Sequence, residues 1–129
     1  MGENADLVKA AWEAFRQGDI DGATSSTDHS AEITVPGTLP WGGTYTGPDG
    51  FKQMIGKLLA EFEELNPQPQ AFLEADDGHV VVPVNAAGRT KAGNELSGRG
   101  LWLYQVRDGK LVRAEFFGDT AQAREALGL

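Results

Sequence analysis

Apolar residues recur every three to four positions near the start of the chain, which predicts an amphipathic helix over residues 5–17. The stripe consists of Val8, Ala11, Trp12 and Phe15. Gly18 occupies the left-handed position that commonly ends such a helix. Asp19 is then predicted to cap a short second helix over 20–27, whose serine and threonine residues are weak helix formers.

A second and longer apolar stripe predicts the main helix of the protein. It consists of Phe51, Met54, Ile55, Leu58, Leu59 and Phe62. Pro48 fits the first position of this helix, where its missing N–H costs nothing. The helix is predicted to end before Asn66-Pro67, and its acidic end, with Glu61, Glu63 and Glu64, is interpreted as a solvated face.

Alternating apolar residues and turn signals predict the strands. One short strand precedes the main helix and four follow it, over 31–35, 70–76, 79–89, 95–107 and 110–118. Between the first strand and the helix lies a Gly- and Pro-rich loop, 36–48, which contains Trp41 and Tyr45. We hypothesise that this loop is a lid or a pocket rim, with a rigid loop packed on the core as the alternative. Asp119 and Gln122 form a capping box for a last helix over 120–127.

The order of these elements predicts one α+β domain spanning residues 1–129, in which a curved antiparallel sheet wraps around the long helix. The chain has 129 residues, no cysteine and a net charge of −8. Such an acidic chain repels phosphate, so a nucleic-acid partner is not expected. No apolar run approaches the ~20 residues of a membrane helix. The N-terminus shows no signal sequence, and we expect a cytoplasmic protein without a membrane partner.

Four segments carry a resemblance to a known family. They are Ala14-Phe15-Arg16-Gln17-Gly18-Asp19-Ile20-Asp21, Trp41-Gly42-Gly43-Thr44-Tyr45-Thr46-Gly47, Tyr104-Gln105-Val106-Arg107-Asp108-Gly109-Lys110-Leu111-Val112 and Phe117-Gly118-Asp119-Thr120. In order and spacing they resemble the SnoaL-like group of the nuclear transport factor 2 / ketosteroid isomerase superfamily. The resemblance implies a cone-shaped α+β barrel with an apolar pocket, and usually a homodimer through the outer face of the sheet. Leu101, Leu103 and Pro83 would form part of that face.

Members of this superfamily include isomerases, polyketide cyclases, epoxide hydrolases, dehydratases and binding modules, but their catalytic residues are replaced here. The general-base aspartate of ketosteroid isomerases corresponds to Val35, and their oxyanion-hole residues correspond to Ala11 and Trp102. The acid/base aspartate and the histidine of SnoaL-type cyclases correspond to Phe116 and Ala114, and one aspartate of limonene-type epoxide hydrolases also corresponds to Phe116.

Few other residues offer proton-transfer chemistry. His29 and His79 are the only histidines, and we interpret both as surface or turn residues. Asp119 could act at a pocket mouth or simply cap the last helix. Together with Tyr104 and His29, it is a candidate acid or base. No cofactor is indicated, and no set of side chains has the spacing of a metal site.

The leading hypothesis is therefore a pocket protein that binds a small, mostly apolar molecule. The predicted ligand-binding residues are Phe15, Val35, Trp41, Tyr45, Phe51, Ile55, Leu59, Val82, Val84, Trp102, Tyr104 and Phe116. Trp41, Tyr45 and Tyr104, with Ser26 or Thr27, would orient the ligand. The alternatives are an isomerase, cyclase or dehydratase with a non-standard acid/base, a dimeric interaction module with a vestigial pocket, and an engineered scaffold.

Overall fold

The structure is a computed structural model that describes residues 2–118 and 125–128. Three α-helices lie wholly within this part of the chain, α1 (Glu3–Arg16), α2 (Ile20–Thr24) and α3 (Gly47–Ala60). Its strands are β1 (Thr27–Val35), β2 (Gly43–Thr46), β3 (Phe62–Pro69), β4 (Leu73–Glu74), β5 (His79–Thr90), β6 (Glu95–Arg107) and β7 (Lys110–Gly118). A single 3₁₀ turn, Asp76–Gly78, separates β4 from β5. None of the described helices is long and apolar enough to cross a membrane.

The strands form one sheet in the order β2-β1-β7-β6-β5-β3, with the short β4 paired to β5. All neighbouring strands are antiparallel except β1 and β7, which are parallel. The end strands β2 and β3 do not pair with each other, so the described sheet is curved but unclosed. Ile33, Val80 and Val82 are completely buried in its core. The predicted α+β class with a curved sheet around a long helix is confirmed.

Several local predictions are also confirmed. Strands β5, β6 and β7 occupy the predicted ranges to within one residue. The Asp19 carboxylate accepts a hydrogen bond of 2.9 Å from the backbone N–H of Gly22, which caps α2. Gly18 has a φ of +81° just beyond α1, as expected of a residue that ends a helix. Asp108 and Gly109 also have positive φ values and form the tight β6–β7 turn.

The predicted position of the first strand after α3 is wrong. The helix ends at Ala60, and Phe62 begins β3 rather than completing the helical stripe, so the predicted strand over 70–76 is replaced by Phe62–Pro69 and the two-residue β4. The prolines misled the prediction, because β3 lies at the sheet edge, where a missing N–H is tolerated. The acidic run belongs to this edge strand, and Arg89 on β5 lies 3.5 Å from the carboxylates of Glu63 and Glu64.

Two further predicted boundaries change around β1. Helix α2 ends at Thr24 rather than at residue 27, and β1 begins at Thr27, four residues earlier than predicted, because its first residues pair with β7. The predicted loop 36–48 contains β2, which pairs with β1 and leaves only residues 36–42 outside regular structure.

Of the predicted last helix, Glu125 and Ala126 are helical. The capping pair Asp119 and Gln122 lies outside the described residues.

The contact between Gly100 and Phe116 gives a test of this packing. A β-carbon at Gly100 would overlap the Phe116 ring, whereas a β-carbon at Gly56, on the exposed face of α3, would meet open space. We expect Gly100→Ala to lower the free energy of unfolding by about 1–3 kcal/mol through overpacking. Gly56→Ala should raise it by up to about 1 kcal/mol through helix propensity. Urea denaturation of both variants measures these changes. Unchanged stability of Gly100→Ala would contradict the placement of the Phe116 ring.

Candidate ligand pocket

The inward-facing side chains of β5 and β6 change in size along the strands, and this change leaves a cavity. The register pairs Ala86 with Gly98 and Val84 with Gly100 near one end, whereas bulky Trp102 and Tyr104 follow on β6. Glycine and alanine fill little of the space between the sheet and the helices. A cavity of about 180 Å³ opens there, between the sheet, α1 and α3.

The cavity walls are almost entirely apolar. Helix α1 contributes Leu7, Val8, Ala11, Trp12 and Phe15, and helix α3 contributes Phe51, Met54, Ile55 and Leu58. Leu39, Trp41, Phe62, Leu65, Pro67, Leu96, Leu111 and Phe116 come from the loop after β1 and from the strands. The polar side chains at the lining are Ser26, Thr27 and Tyr104. Arg99 also borders the cavity, but it is exposed and alternates with the inward-facing Gly98 and Gly100. Such a surface favours a ligand that is largely hydrocarbon.

Aromatic rings pack against one another along the lining. The Trp102 ring stacks on Tyr104 with a centroid distance of 5.7 Å and an interplanar angle of 14°, and meets the Phe116 ring edge-on at 5.3 Å. On another wall Trp41 packs edge-on against Phe62 at 5.7 Å. These contacts hold the rings in fixed relative orientations.

Tyr104 is a deeply buried cavity residue with a hydroxyl group. Its hydroxyl accepts a hydrogen bond of 3.0 Å from the indole Nε1–H of Trp12, which joins α1 to β6. Burial raises the pKa of the Tyr104 phenol well above its ordinary value of 10, and the Trp12 hydrogen bond offsets this only in part. Tyr104 therefore stays protonated at neutral pH, where it can donate a hydrogen bond but cannot act as a base.

Eight of the twelve predicted ligand-binding residues line the cavity: Phe15, Trp41, Phe51, Ile55, Val84, Trp102, Tyr104 and Phe116. The other four do not line it. Val35 and Val82 are buried in the core, at 2% and 0% exposure. Leu59 is 40% exposed, because it follows the lining residue Leu58 and is turned about 100° around the helix.

Tyr45, the fourth of these residues, is absent from the cavity lining and hydrogen-bonds to the loop before it. Its hydroxyl donates to the backbone carbonyl of Trp41 at 2.9 Å and lies 3.3 Å from that of Gly42. The Nζ of Lys57 lies 5.2 Å from the centroid of the Tyr45 ring. Trp41 is itself buried, at 8% exposure, so the loop forms a packed wall of the cavity.

The two histidines, of which only His29 was an acid/base candidate, do not line the cavity. His29 is exposed on β1. A ring nitrogen of His79, Nδ1, lies 2.9 Å from the carbonyl oxygen of Asp76 in the turn before β5. Asp119 lies outside the described residues. Within residues 2–118 and 125–128, no three His, Cys, Asp or Glu side chains are grouped to hold a metal ion.

Trp12 lines the cavity but was not among the predicted ligand-binding residues. Its place in the α1 stripe indicated an inward-facing ring, but its hydrogen-bond partner lies 92 residues away. No local pattern links an indole on α1 to a phenol on β6. The small lining residues on β5 and β6 were also missed, because glycine in a strand gives no hydrophobic signal.

The raised pKa of Tyr104 predicts a stability change at alkaline pH. The phenol ionises near pH 10 in the unfolded chain but at higher pH in the folded one, so its contribution is complete below pH 10 and is lost as the pH rises through the folded pKa. Above pH 10 the unfolding free energy of the wild type should fall relative to that of Tyr104→Phe, by up to about 1.4 kcal/mol per pH unit. Urea titrations from pH 8 to above pH 10 measure the difference; parallel curves for the two proteins would contradict the burial of the hydroxyl.

Solved structures with the same architecture cover almost the whole chain. TerC, co-crystallised with polyporic acid, is 26% identical and superposes with a TM-score of 0.88 over 98% of this chain and 99% of its own. A nuclear transport factor 2-like protein of unknown function from Burkholderia pseudomallei is 22% identical, with a TM-score of 0.90 over all of both chains. A protein with a ketosteroid isomerase-like fold from Catenulispora acidiphila, in complex with trimethylamine, is 16% identical, with a TM-score of 0.78 over 95% of this chain and 92% of its own. The last two similarities concern the fold alone.

Sequence comparison identifies the family of the chain. An uncharacterised protein from Mycobacterium tuberculosis is 29% identical over 118 residues, which cover 90% of this chain and 89% of that protein. The sequence profile of the SnoaL-like domain matches residues 8–114. This match includes most of α1, all of α3 and most of the sheet that surrounds the cavity. The chain therefore belongs to the SnoaL-like domain family, with the nuclear transport factor 2-like fold.

Proposed function

We propose that the protein binds a small, mostly apolar molecule in the cavity between α1, α3 and the sheet. The observation that carries this proposal is an open space of about 180 Å³ with apolar walls. An engineered apolar cavity of about 150 Å³ in another protein binds benzene. A molecule with a single ring or two fused rings therefore matches the size of the present cavity. At about 25 cal/mol per Å² of buried apolar area, such a ligand could reach micromolar affinity without any ion pair.

The chemistry of the lining supports binding more than catalysis. No carboxylate or imidazole lines the cavity within the described part of the chain. Trp102 and Phe116 occupy positions where related enzymes are expected to place catalytic acids, and their rings pack against each other in the cavity lining. Among the described candidates, an isomerase, cyclase or dehydratase would depend on Tyr104, which is held in its neutral form.

Two other observations bear on the alternatives. TerC, which shares the fold, was co-crystallised with the small molecule polyporic acid, and this supports an organic small molecule as the ligand class. A vestigial pocket would be filled by its own side chains, whereas here the space beside Trp102, Phe116 and Ile55 is open. The open space therefore supports a ligand-binding pocket over a vestigial one.

Blocking the cavity tests the proposal. Ala86 lines the cavity, and its chain neighbour Ala87 is exposed on the opposite face of β5. We expect Ala86→Leu to weaken the binding of naphthalene by about tenfold or more, because the larger side chain occupies the ligand space. Ala87→Leu, the matched control, should leave the affinity within about twofold. Isothermal titration calorimetry measures both; equal affinities for the two variants would place the site elsewhere.

We also propose that the protein forms a homodimer through the outer face of the sheet. An apolar patch on this face consists of Val81, Pro83, Leu101, Leu103 and Phe117, which neighbour one another across β5, β6 and β7. Phe117 is 45% exposed and the other four are partly exposed in the isolated chain. Continuous apolar surface of this kind is typical of a subunit interface.

Charge placed in this patch should separate the subunits. Leu103→Glu buries an unpaired carboxylate in the proposed interface, and we expect sedimentation velocity to show a monomer. Leu59→Glu introduces the same side chain at a 40%-exposed leucine on α3, away from the patch, and should remain dimeric. A wild-type protein that sediments as a monomer at every concentration would contradict the proposal.

A further inference from the structure

The hydrogen bond between Trp12 and Tyr104 has a fixed direction. An indole Nε1–H can donate but cannot accept, so the phenol oxygen must be the acceptor in the 3.0 Å contact. The hydroxyl proton of Tyr104 takes no part in this bond. No protein acceptor for that proton is found in the described part of the chain.

The unused proton belongs to a residue that lines the cavity. Tyr104 is 6% exposed, so bulk solvent does not reach most of its side chain, yet it forms part of the cavity wall. An O–H group in apolar surroundings is costly unless an acceptor meets it. A ligand in the cavity is well placed to supply that acceptor.

The donor is also held in position from two sides. Trp12 fixes the phenol oxygen from α1, and the ring of Trp102 stacks on the ring of Tyr104 along β6. A hydrogen bond accepted by a hydroxyl also makes its own proton a stronger donor. Little conformational freedom is then lost when the proton meets a ligand atom.

We propose that Tyr104 determines ligand specificity by donating its hydroxyl hydrogen bond to a neutral acceptor oxygen, such as a carbonyl, on an otherwise apolar ligand, and that Trp12 is the residue that positions it. This inference rests on the proposed binding function and names the ligand class for the same cavity.

The position of the charged residues favours a neutral acceptor over an anion. The cationic residue among the lining residues is Arg99, five residues before Tyr104 and so about 16 Å away along β6. Strand alternation also places the two side chains on opposite faces of the sheet. An anion beside the Tyr104 hydroxyl would therefore lie in an apolar environment without a paired cation, which is unfavourable.

A matched pair of probes tests the proposal. 1-Indanone and indane have nearly the same shape, but only the ketone carries an acceptor. Tyr104→Phe should weaken 1-indanone binding by about three- to tenfold and leave indane binding within about twofold. Trp12→Phe should also lower the preference for the ketone, measured as the association constant of 1-indanone divided by that of indane. The double variant should show no further loss of this ratio, because both changes act on one hydrogen bond.

Infrared spectroscopy of the wild-type complex gives a readout that does not depend on the folding of any variant. The carbonyl stretch of bound 1-indanone should lie at lower wavenumber than in hexane, and should return towards the hexane value in Tyr104→Phe. A hexane-like stretch in the wild type, or an equal loss of both probes in Tyr104→Phe, would overturn the specificity role while indane binding still supported the pocket. Failure of both probes to bind the wild type would overturn the binding function itself.

Discussion

The change in side-chain size along the concave face of β5 and β6 is the constraint on which the rest of the structure depends. Ala86, Gly98 and Gly100 leave space above one part of the sheet, and Trp102 and Tyr104 fill the next part. Had large residues continued along β6, the helices would pack against a solid sheet and no cavity would remain. Phe116 contributes to the same arrangement, because its ring lies against Gly100 where a β-carbon would overlap it.

Helix α1 completes the cavity, and one polar contact specifies how it does so. The walls offer many similar apolar contacts, which fix the register of a helix only loosely. The hydrogen bond from Trp12 to Tyr104 is directional and buried, so it selects one placement of α1 on the sheet. The same contact leaves a protonated hydroxyl at the cavity, so the proposed ligand specificity depends on the same two side chains as the placement of α1.

Sequence patterns predicted the fold well where local signals decide it. The strands β5–β7 and the caps at Gly18 and Asp19 follow from alternation and turn chemistry, and eight of the expected pocket residues line the cavity. The pattern failed at Phe62, whose helical spacing continued into a strand, and at Pro67, which an edge strand tolerates. Leu59 and Tyr45 were misplaced because side-chain direction and long-range hydrogen bonds depend on packing. The parallel pairing of β1 with β7 is similarly non-local.

The most direct test of the account is where an apolar molecule contacts the protein in solution. Intermolecular nuclear Overhauser effects between naphthalene and methyl-labelled protein measure this. If the cavity is the binding site, the effects will connect naphthalene to the methyl groups of Met54, Ile55 and Val84, which line it. Effects confined to Val81 and Leu103 on the outer face of the sheet, or none at saturating naphthalene, would contradict it.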